Sequence, residues 1–243
     1  MKGILYAIGV GPGAADLLTL RAIAALKKTH VVLTAASPKN DYSIALDTAR
    51  PHLRPDCATL RLEFPMTRDK DVLENAWRLA AEKTLAVLGS GRNAAFLTLG
   101  DPLVYSTFAY LQRHLKRIAP DAEVEIVPGI TSFQAACART GLPLCEGEDN
   151  VRIVSGINDG AVLEREIADA DTAVILKAYR NFPAIASVLA KLGRAGTSLC
   201  VSHVEQEKEE IRQGVDAGRT PPYMTLIISK KRACGQALAR LLP

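Results

Sequence analysis

Between residues 4 and 139 the chain alternates short apolar runs with amphipathic helical patterns. Short apolar runs bounded by glycine, proline or polar residues are typical of buried strands, and apolar residues spaced three and four apart are typical of one helix face. Alternation of this kind predicts a parallel sheet with helices on both of its faces. The predicted strands are 4–8, 31–33, 94–99 and 124–127, and the predicted helices are 17–28, 43–50, 71–88, 107–118 and 132–139. Asp16 or Thr19 is expected to cap the first helix.

The pattern changes after residue 140. Residues 141–150 are rich in glycine, proline and acidic side chains, which is typical of a linker. Strand-like runs late in the chain follow one another with short connections, and such connections indicate antiparallel pairing. The predicted elements are strands 151–154, 172–176, 198–204, 208–213 and 223–229 and helices 161–167 and 182–192. We therefore expect two α/β domains, with a mostly parallel sheet in residues 1–142 and a mixed sheet in residues 143–243.

Composition excludes several function classes. Hydrophobic residues make up 48% of the 243 residues and charged residues 23%, as in soluble globular proteins. The aromatic content of 5% and the formal net charge of +4 argue against a surface that stacks bases or follows a phosphate backbone. No stretch of about 18 apolar residues occurs, as a membrane-spanning helix would need. We expect neither a nucleic-acid partner nor a membrane partner.

The cysteines and the N-terminus bear on the compartment. The apolar run at residues 4–8 is too short for a signal peptide. The cysteines form no C-x-x-C pair, and none has a histidine at a metal-ligand spacing. This distribution indicates a reducing compartment, buried thiols and no protein-bound metal, so we expect a cytoplasmic protein. The cysteines are Cys57, Cys137, Cys145, Cys200 and Cys234.

A glycine-rich turn, GVGPG at residues 9–13, joins the first predicted strand to the first helix. Such a turn lets a ligand approach the backbone and the N–H groups of the helix. It is not a dinucleotide fingerprint, because the spacing differs from G-x-G-x-x-G, Pro12 removes a donor, and no acidic residue ends the second strand. Walker A is excluded because no Gly-Lys-Ser/Thr follows. A ligand-facing loop and a tight structural turn both remain open.

Two further loops follow predicted strands. Gly100, Asp101 and Pro102 come after the strand at 94–99, and the run PGITS at 128–132 comes after the strand at 124–127. Either loop by itself is explained by a turn, or by helix capping through hydroxyl groups such as that of Ser132. However, the carboxyl ends of parallel strands meet at one edge of a sheet, where open α/β sheets bind ligands. We therefore expect all three loops to converge.

No pattern typical of nucleophilic or acid–base catalysis is found. The histidines form neither a triad nor a metal-ligand spacing, and no G-x-S-x-G elbow or paired-carboxylate signature occurs. The basic run at 113–117 is typical of a solvated helix face. Structural or surface positions are expected for His30, His52, His114 and His203.

Taken together, these loops resemble those of the tetrapyrrole (corrin/porphyrin) methylase family, also called class III methyltransferases. The matching motifs are GVGPG at 9–13 with LLT at 17–19, LGDP at 99–102, PGITS at 128–132 and TGLPL at 140–144. Within the family, the subgroup that methylates C-20 of precorrin-2 or cobalt-factor II is similar in GDPLVYST at 100–107, FPM at 64–66 and LCEGED at 144–149. The resemblance extends over nearly the whole chain and is looser in the C-terminal half.

The resemblance implies a homodimer that binds S-adenosylmethionine in a cleft between the two domains and methylates a tetrapyrrole in cobalamin biosynthesis. The turn at 9–13 would then border the substrate through Gly9, Gly11 and Gly13. The implied contacts to the methyl donor are Pro12, Leu99, Gly100, Asp101, Val104, Tyr105, Thr131 and Ser132, and in the second domain Lys177, Ala178, Tyr179, Val204 and Thr225.

Such a reaction explains why no triad is present. Methyl transfer from a sulfonium to an electron-rich meso carbon is an in-line displacement, which needs near-attack distance and exclusion of water but no strong base. We therefore expect Asp101, the one catalytic candidate, to bind the donor instead of acting as a base. The acetate and propionate groups of the substrate need basic partners, for which Arg21, Lys39 and Arg92 are candidates.

Alternatives remain open at this point. Another member of the family would methylate a different ring position or diphthamide. A nicotinamide-dependent oxidoreductase would bind NADH. A nucleotide-sensing module would bind the donor or a nucleotide without turning over any tetrapyrrole.

Overall fold

The computed structural model describes residues 2–36 and 43–232, and it divides into two compact units, Met1–Thr131 and Ser132–Pro243. Each unit has a five-stranded sheet of its own. The division falls earlier in the chain than the boundary expected after Leu142. The helix that starts at Ser132 therefore belongs to the second unit.

The first unit is a parallel sheet with helices between its strands. The strand order is β3-β2-β4-β1-β5, and every neighbouring pair is parallel. This confirms the predicted sheet. Its elements are β1 (Leu5–Gly9), α1 (Leu20–Lys28), β2 (Val31–Ala36), α2 (Ile44–Ala49), β3 (Ala58–Glu63), α3 (Lys70–Gly89), β4 (Ala94–Thr98), α4 (Phe108–Ile118) and β5 (Val124–Val127).

Both faces of this sheet are covered. Leu5 and Ala7 of β1 pack on the side of α3 and α4, whereas Tyr6 and Ile8 pack on the side of α1 and α2. Successive side chains of a strand point to opposite faces, so a strand covered on both faces must be apolar throughout. Burial of each leucine-sized side chain contributes about 1.5–3 kcal/mol. The continuous apolar runs in the sequence have this physical cause.

Strand β3 is absent from the predicted elements. It pairs with β2 at the edge of the sheet. Leu62 is fully buried and Leu60 is partly buried, but the other side chains of the strand are exposed. An edge strand that places so few side chains in the core gives no continuous apolar run, and for this reason the sequence pattern did not predict it.

The helix predicted over 17–28 begins later than expected. Ala15–Leu17 forms a 3-10 turn, and α1 starts only after Thr19. The Thr19 hydroxyl accepts a hydrogen bond from the backbone N–H of Ala22 at 3.1 Å, so Thr19 is the cap and Asp16 is not. The leucines before Thr19 continue the helical spacing and hide this break in the sequence.

The second unit has a mixed sheet of order β6-β7-β10-β8-β9, as predicted. The pair β6–β7 is parallel, and the other pairs are antiparallel. The predicted fold class of two α/β units is thus confirmed. The elements are α5 (Ser132–Thr140), β6 (Val151–Ser155), α6 (Gly160–Ile167), β7 (Thr172–Leu176), α7 (Phe182–Lys191), β8 (Ser198–Ser202), β9 (Glu210–Gln213) and β10 (Thr225–Lys230).

Residues 141–150, expected to be a linker, are bonded to the second sheet. The buried ammonium of Lys230 donates to the carbonyl oxygen of Leu144 at 3.0 Å, and the Thr172 hydroxyl donates to the same oxygen at 2.8 Å. The Asp149 carboxylate lies 3.8 Å from the Lys230 ammonium. A buried ammonium is tolerated because its donors find such acceptors. This segment is therefore part of the second unit.

The thiols differ in exposure. Cys200 is buried, and burial raises the pKa of its thiol to about 11. Cys57 and Cys137 are partly buried. The expectation of buried thiols is wrong for Cys145, which is exposed on the segment 141–150. Cys234 lies outside the described residues. In the described ranges, no helix has the length and apolar character needed to span a membrane.

Candidate functional site

The three predicted loops leave the same edge of the first sheet. Strands β4, β1 and β5 are adjacent and parallel, so the segments that follow them, 99–106, 10–13 and 128–131, begin side by side. This edge is where open α/β sheets bind ligands. The structure therefore brings together the loops that the sequence places far apart, as expected.

The backbones of these loops are in direct contact at glycines. A Cβ atom on Gly9 would lie 2.5 Å from the carbonyl oxygen of Gly100 and 2.6 Å from the backbone nitrogen of Gly129. A Cβ atom on Gly129 would approach the same oxygen still more closely. Only glycine at these two positions allows the three loops to meet. The role of Gly9 as a border of the substrate stays a prediction.

Gly11 and Gly100 form the second junction. The backbone N–H of Gly100 donates to the carbonyl oxygen of Gly11 at 2.8 Å, and the two residues form an antiparallel bridge. Their φ angles are +78° and +70°, a left-handed conformation that glycine adopts without a steric penalty. A Cβ atom on Gly100 would meet only the Cα of Thr131, at 3.8 Å, so space remains beside this backbone.

The Asp101 carboxylate bonds the β4 loop to the β5 loop. Its Oδ1 accepts from the N–H of Leu103 at 2.8 Å, and its Oδ2 accepts from the N–H of Gly129 at 3.1 Å. Hydrogen bonds to a charged acceptor contribute about 1.5–3 kcal/mol each. The carboxylate retains further lone pairs that a ligand can use. The structure thus gives Asp101 a loop-joining role, which the sequence did not reveal, and its contact to a methyl donor stays a prediction.

The residues after Asp101 include a strained aromatic residue. Tyr105 has a φ angle of +50°, which is unfavourable for a residue with a Cβ atom, and its side chain is 53% exposed. The Ser106 hydroxyl accepts from the N–H of Phe108 and donates to the Thr98 hydroxyl, both at 3.1 Å. Ser106 therefore satisfies the first N–H of helix α4, whereas the side chain of the N-cap residue Thr107 forms no capping hydrogen bond.

The second-unit candidates also share one edge of their sheet. Lys177 and Ala178 follow β7, Val204 follows β8, and Thr225 begins β10. Strand β10 runs antiparallel to β7 and β8, so its first residue lies at the edge where those two strands end. Positive φ angles of 49° to 57° occur here at Lys177, His203 and Glu205.

Several of these side chains are buried or form hydrogen bonds within the protein. Ala178, Val204 and Thr225 are at least 95% buried. The Thr225 hydroxyl lies 2.8 Å from the Ser202 hydroxyl and donates to the carbonyl oxygen of Pro222 at 2.7 Å. Their contacts to a ligand stay predictions, and backbone groups are the parts that a ligand can most easily reach.

The three suggested basic residues differ in where the structure places them. Arg92 precedes β4 and therefore lies at the amino end of the parallel sheet, at the edge opposite the glycine loops, so its position gives no support to a substrate contact. Arg21 is exposed in the first turn of α1, on the side of the glycine loops. Lys39 lies outside the described residues.

His114 is structural, as expected, but it is buried instead of lying on a charged surface. Its Nδ1 lies 2.9 Å from the carbonyl oxygen of Tyr110, and its Nε2 lies 3.0 Å from the Glu74 carboxylate. The nearby His114 imidazole lowers the pKa of Glu74, and the nearby Arg117 guanidinium lowers it further. This cluster joins α3 to α4 and contains none of the predicted site residues.

The described part of the chain contains no grouping of three His, Cys, Asp or Glu side chains that would hold a metal ion. The parallel sheet instead presents glycine backbone and one carboxylate at its carboxyl edge. The first unit is therefore of the class of open α/β sheets, in which ligands bind at the carboxyl ends of the strands.

The chain belongs to the tetrapyrrole (corrin/porphyrin) methylases, and the family model matches residues 4–215. Over 235 residues it is 32% identical to the cobalt-precorrin-2 C(20)-methyltransferase of Salmonella typhimurium, covering 95% of this chain and 98% of that protein. It is also 32% identical over 235 residues to the precorrin-2 C(20)-methyltransferase of a Sinorhizobium species, covering 93% and 94%.

A solved structure agrees with this assignment. The uroporphyrin-III C-methyltransferase of Thermus thermophilus, complexed with S-adenosylhomocysteine, has a TM-score of 0.67 to this chain. The two sequences are 25% identical, and the match covers 98% of this chain and 99% of that one. The family inferred from the loops is therefore confirmed.

Proposed function

We propose that this protein is a C-20 methyltransferase of cobalamin biosynthesis, which transfers the methyl group of S-adenosylmethionine to precorrin-2 or its cobalt complex. The observation that carries the proposal is the junction of three glycine loops at one sheet edge. It occurs in a chain that is 32% identical, over nearly its whole length, to two C(20)-methyltransferases.

The charge of this edge supports a sulfonium donor. Residues 9–13, 98–108 and 127–132 contain no lysine, arginine or histidine, and Asp101 is their one charged side chain. A cationic donor meets no like charge in these loops, whereas the pyrophosphate of a dinucleotide would find no cation to pair with. These loops therefore favour S-adenosylmethionine over a nicotinamide cofactor.

The backbone of these loops fits close approach by such a donor. When bound, S-adenosylmethionine supplies an electrophilic methyl group on a positively charged sulfur. A Cβ atom on Gly100 would meet only the Cα of Thr131, at 3.8 Å, so a ligand has room to approach the backbone at this residue. In this proposal the loops orient the donor, and water is kept away from the methyl group. Correct orientation of two reactants lowers a barrier by about 7–11 kcal/mol in well-aligned reactions.

Asp101 acts in this proposal as a positioning residue. Its carboxylate is bonded to two backbone N–H groups, so it fixes the relative position of the Gly100 and Gly129 loops. Its remaining lone pairs can accept a hydrogen bond from the donor. The chemistry requires no base during methyl transfer, because the meso carbon is nucleophilic through conjugation.

Product analysis tests the proposal. The purified protein is incubated anaerobically with S-adenosylmethionine and either precorrin-2 or its cobalt complex, and the products are examined by mass spectrometry. We expect one added methyl group with at least one of the two substrates. Binding of S-adenosylhomocysteine without any methylated product from either substrate would contradict the enzymatic proposal and favour a sensing module.

We also propose that the protein is a homodimer in the cytoplasm. Four apolar side chains of α3 and α4 are between 38% and 47% exposed, and a second subunit would cover such a surface. These are Val72, Leu79, Tyr110 and Ile118. Light scattering is expected to give twice the 26.1 kDa of one chain, and a monomer at micromolar concentration would contradict the dimer.

A further inference from the structure

Two basic side chains without an acidic partner lie just after β7. Lys177 follows the last residue of the strand, and Arg180 lies in the 3-10 turn Ala178–Asn181. Among residues 2–36 and 43–232, neither side chain forms an ion pair with a carboxylate. By contrast, Arg139 of the same unit pairs with Glu209 at 2.7 Å. Two adjacent unpaired cations are an electrostatic arrangement that a bound anion would stabilise.

The backbone at Lys177 is strained. Its φ and ψ angles are 55° and 39°, the left-handed conformation that costs a residue with a Cβ atom about 1–2 kcal/mol. Glycine would remove this cost, yet lysine occupies the position. Strained residues cluster at ligand-binding positions, where the surrounding structure holds a side chain in a useful place. The strain therefore points to a use for the Lys177 side chain.

Two tyrosines complete the cluster. The rings of Tyr179 and Tyr223 are 4.9 Å apart, and Tyr223 is 58% exposed. The guanidinium Nε of Arg180 donates a hydrogen bond to the Tyr179 hydroxyl oxygen at 3.0 Å. Because that oxygen accepts from Arg180, its own O–H proton remains available as a donor. Arg180, Tyr179 and Lys177 together thus offer a guanidinium, a phenol O–H and an ammonium.

Lys177 and Arg180 are both exposed residues, and their positive charges repel each other. Although part of the side chain is exposed, loss of surrounding water lowers the pKa of the ammonium, and repulsion from Arg180 lowers it further. Helix α7 begins at Phe182 without a side-chain cap, so its positive end adds to the same field. A carboxylate placed here would offset all three effects at once.

We propose that Lys177, Tyr179 and Arg180 form a clamp for an alkyl carboxylate of the ligand. The inference rests on the proposed function, which supplies two sources of this group: the acetate and propionate side chains of the tetrapyrrole, and the amino-acid end of the methyl donor. The planar guanidinium suits two parallel hydrogen bonds to a carboxylate, and the ammonium adds a point charge.

Two variants test the clamp, so that the result does not depend on a single substitution that impairs folding. Lys177→Gly removes the ammonium and also the left-handed strain, so it is expected to keep or raise thermal stability. Arg180→Gln removes the guanidinium charge. Arg165→Gln, at an exposed position of α6, is the matched control for a loss of one positive charge.

Two binding measurements distinguish the sources of the carboxylate. Calorimetry gives the Kd for S-adenosylhomocysteine, and fluorescence titration gives the Kd for uroporphyrin III, a stable tetrapyrrole with the same acetate and propionate groups. We expect each clamp variant to weaken one of the two ligands about tenfold, which is 1.4 kcal/mol, while Arg165→Gln changes neither. Weaker uroporphyrin binding alone assigns the clamp to the substrate, and weaker S-adenosylhomocysteine binding alone assigns it to the donor.

The negative outcomes are also distinct. If the wild-type protein binds both probes and both clamp variants bind them within twofold of wild type, the clamp is wrong and the proposed function stands. If the wild-type protein binds neither probe, the proposed function and the clamp are both wrong.

Discussion

Replacement of Asp101 by alanine should separate the loops of the candidate site. The change removes two hydrogen bonds to a charged acceptor, one from the exposed N–H of Leu103 and one from the partly buried N–H of Gly129. Water can replace the first, whereas the second leaves a donor with less access to solvent. At about 1.5–3 kcal/mol for a charged hydrogen bond, and with the exposed one discounted, we expect a loss of about 2–3 kcal/mol.

The chain offers a local reporter for this change. Trp77 is the one tryptophan, and it lies in α3 of the first unit, stacked on Tyr110 with the ring centroids 4.4 Å apart. Urea unfolding followed by tryptophan fluorescence therefore reports on the unit that contains Asp101. The matched control is Asp16→Ala, which removes an exposed carboxylate and is expected to change the free energy of unfolding by less than about 0.5 kcal/mol.

Calorimetric titration with S-adenosylhomocysteine completes the test. We expect Asp101→Ala to weaken binding, because the loop that would hold the donor loses its tie to the Gly129 loop. If the free energy of unfolding of the variant lies within about 0.5 kcal/mol of the wild-type value, the loop-joining role is refuted. Unchanged affinity in a folded variant would refute the link between this carboxylate and the donor site.

Other consequences concern packing and reactivity. Gly129→Ala would force a Cβ atom against the Gly100 carbonyl oxygen, so we expect the free energy of unfolding in the same urea assay to fall by about 1–3 kcal/mol. The control is Gly89→Ala, whose added methyl group would meet no neighbouring atom and should leave stability unchanged or slightly raised. Equal stabilities of the two variants would contradict the loop packing. With its pKa raised to about 11, the Cys200 thiol should resist an aromatic disulfide reagent at pH 8, whereas the exposed Cys145 should react within minutes. Mass spectrometry of the labelled peptides checks both, and fast labelling of Cys200 in the folded protein would contradict its burial.

The sequence predicted most of the first sheet because its strands are covered on both faces. A strand such as β1 must then be apolar at every position, and this signal is strong. The edge strand β3 lacks that signal, since Leu62 is its one fully buried side chain. The late start of α1 was hidden for a related reason, because the leucines before Thr19 keep the helical spacing.

The site was predicted in part. The convergence of the three loops followed from the predicted parallel sheet, since parallel strands end at one edge. The contact between Asp101 and the N–H of Gly129 joins residues 28 positions apart, and no local pattern encodes it. The cluster of Arg180, Tyr179 and Tyr223 likewise depends on the pairing of β10 with β7, so Arg180 and Tyr223 were missing from the predicted site.

The most direct test of the proposed function locates the transferred carbon. The protein is incubated with S-adenosylmethionine labelled with ¹³C in its methyl group and with precorrin-2 or its cobalt complex, and the product is examined by NMR. We predict one enriched methyl resonance, with couplings that place it on C-20 of the macrocycle. An enriched methyl group on any other carbon would contradict the proposed regiochemistry.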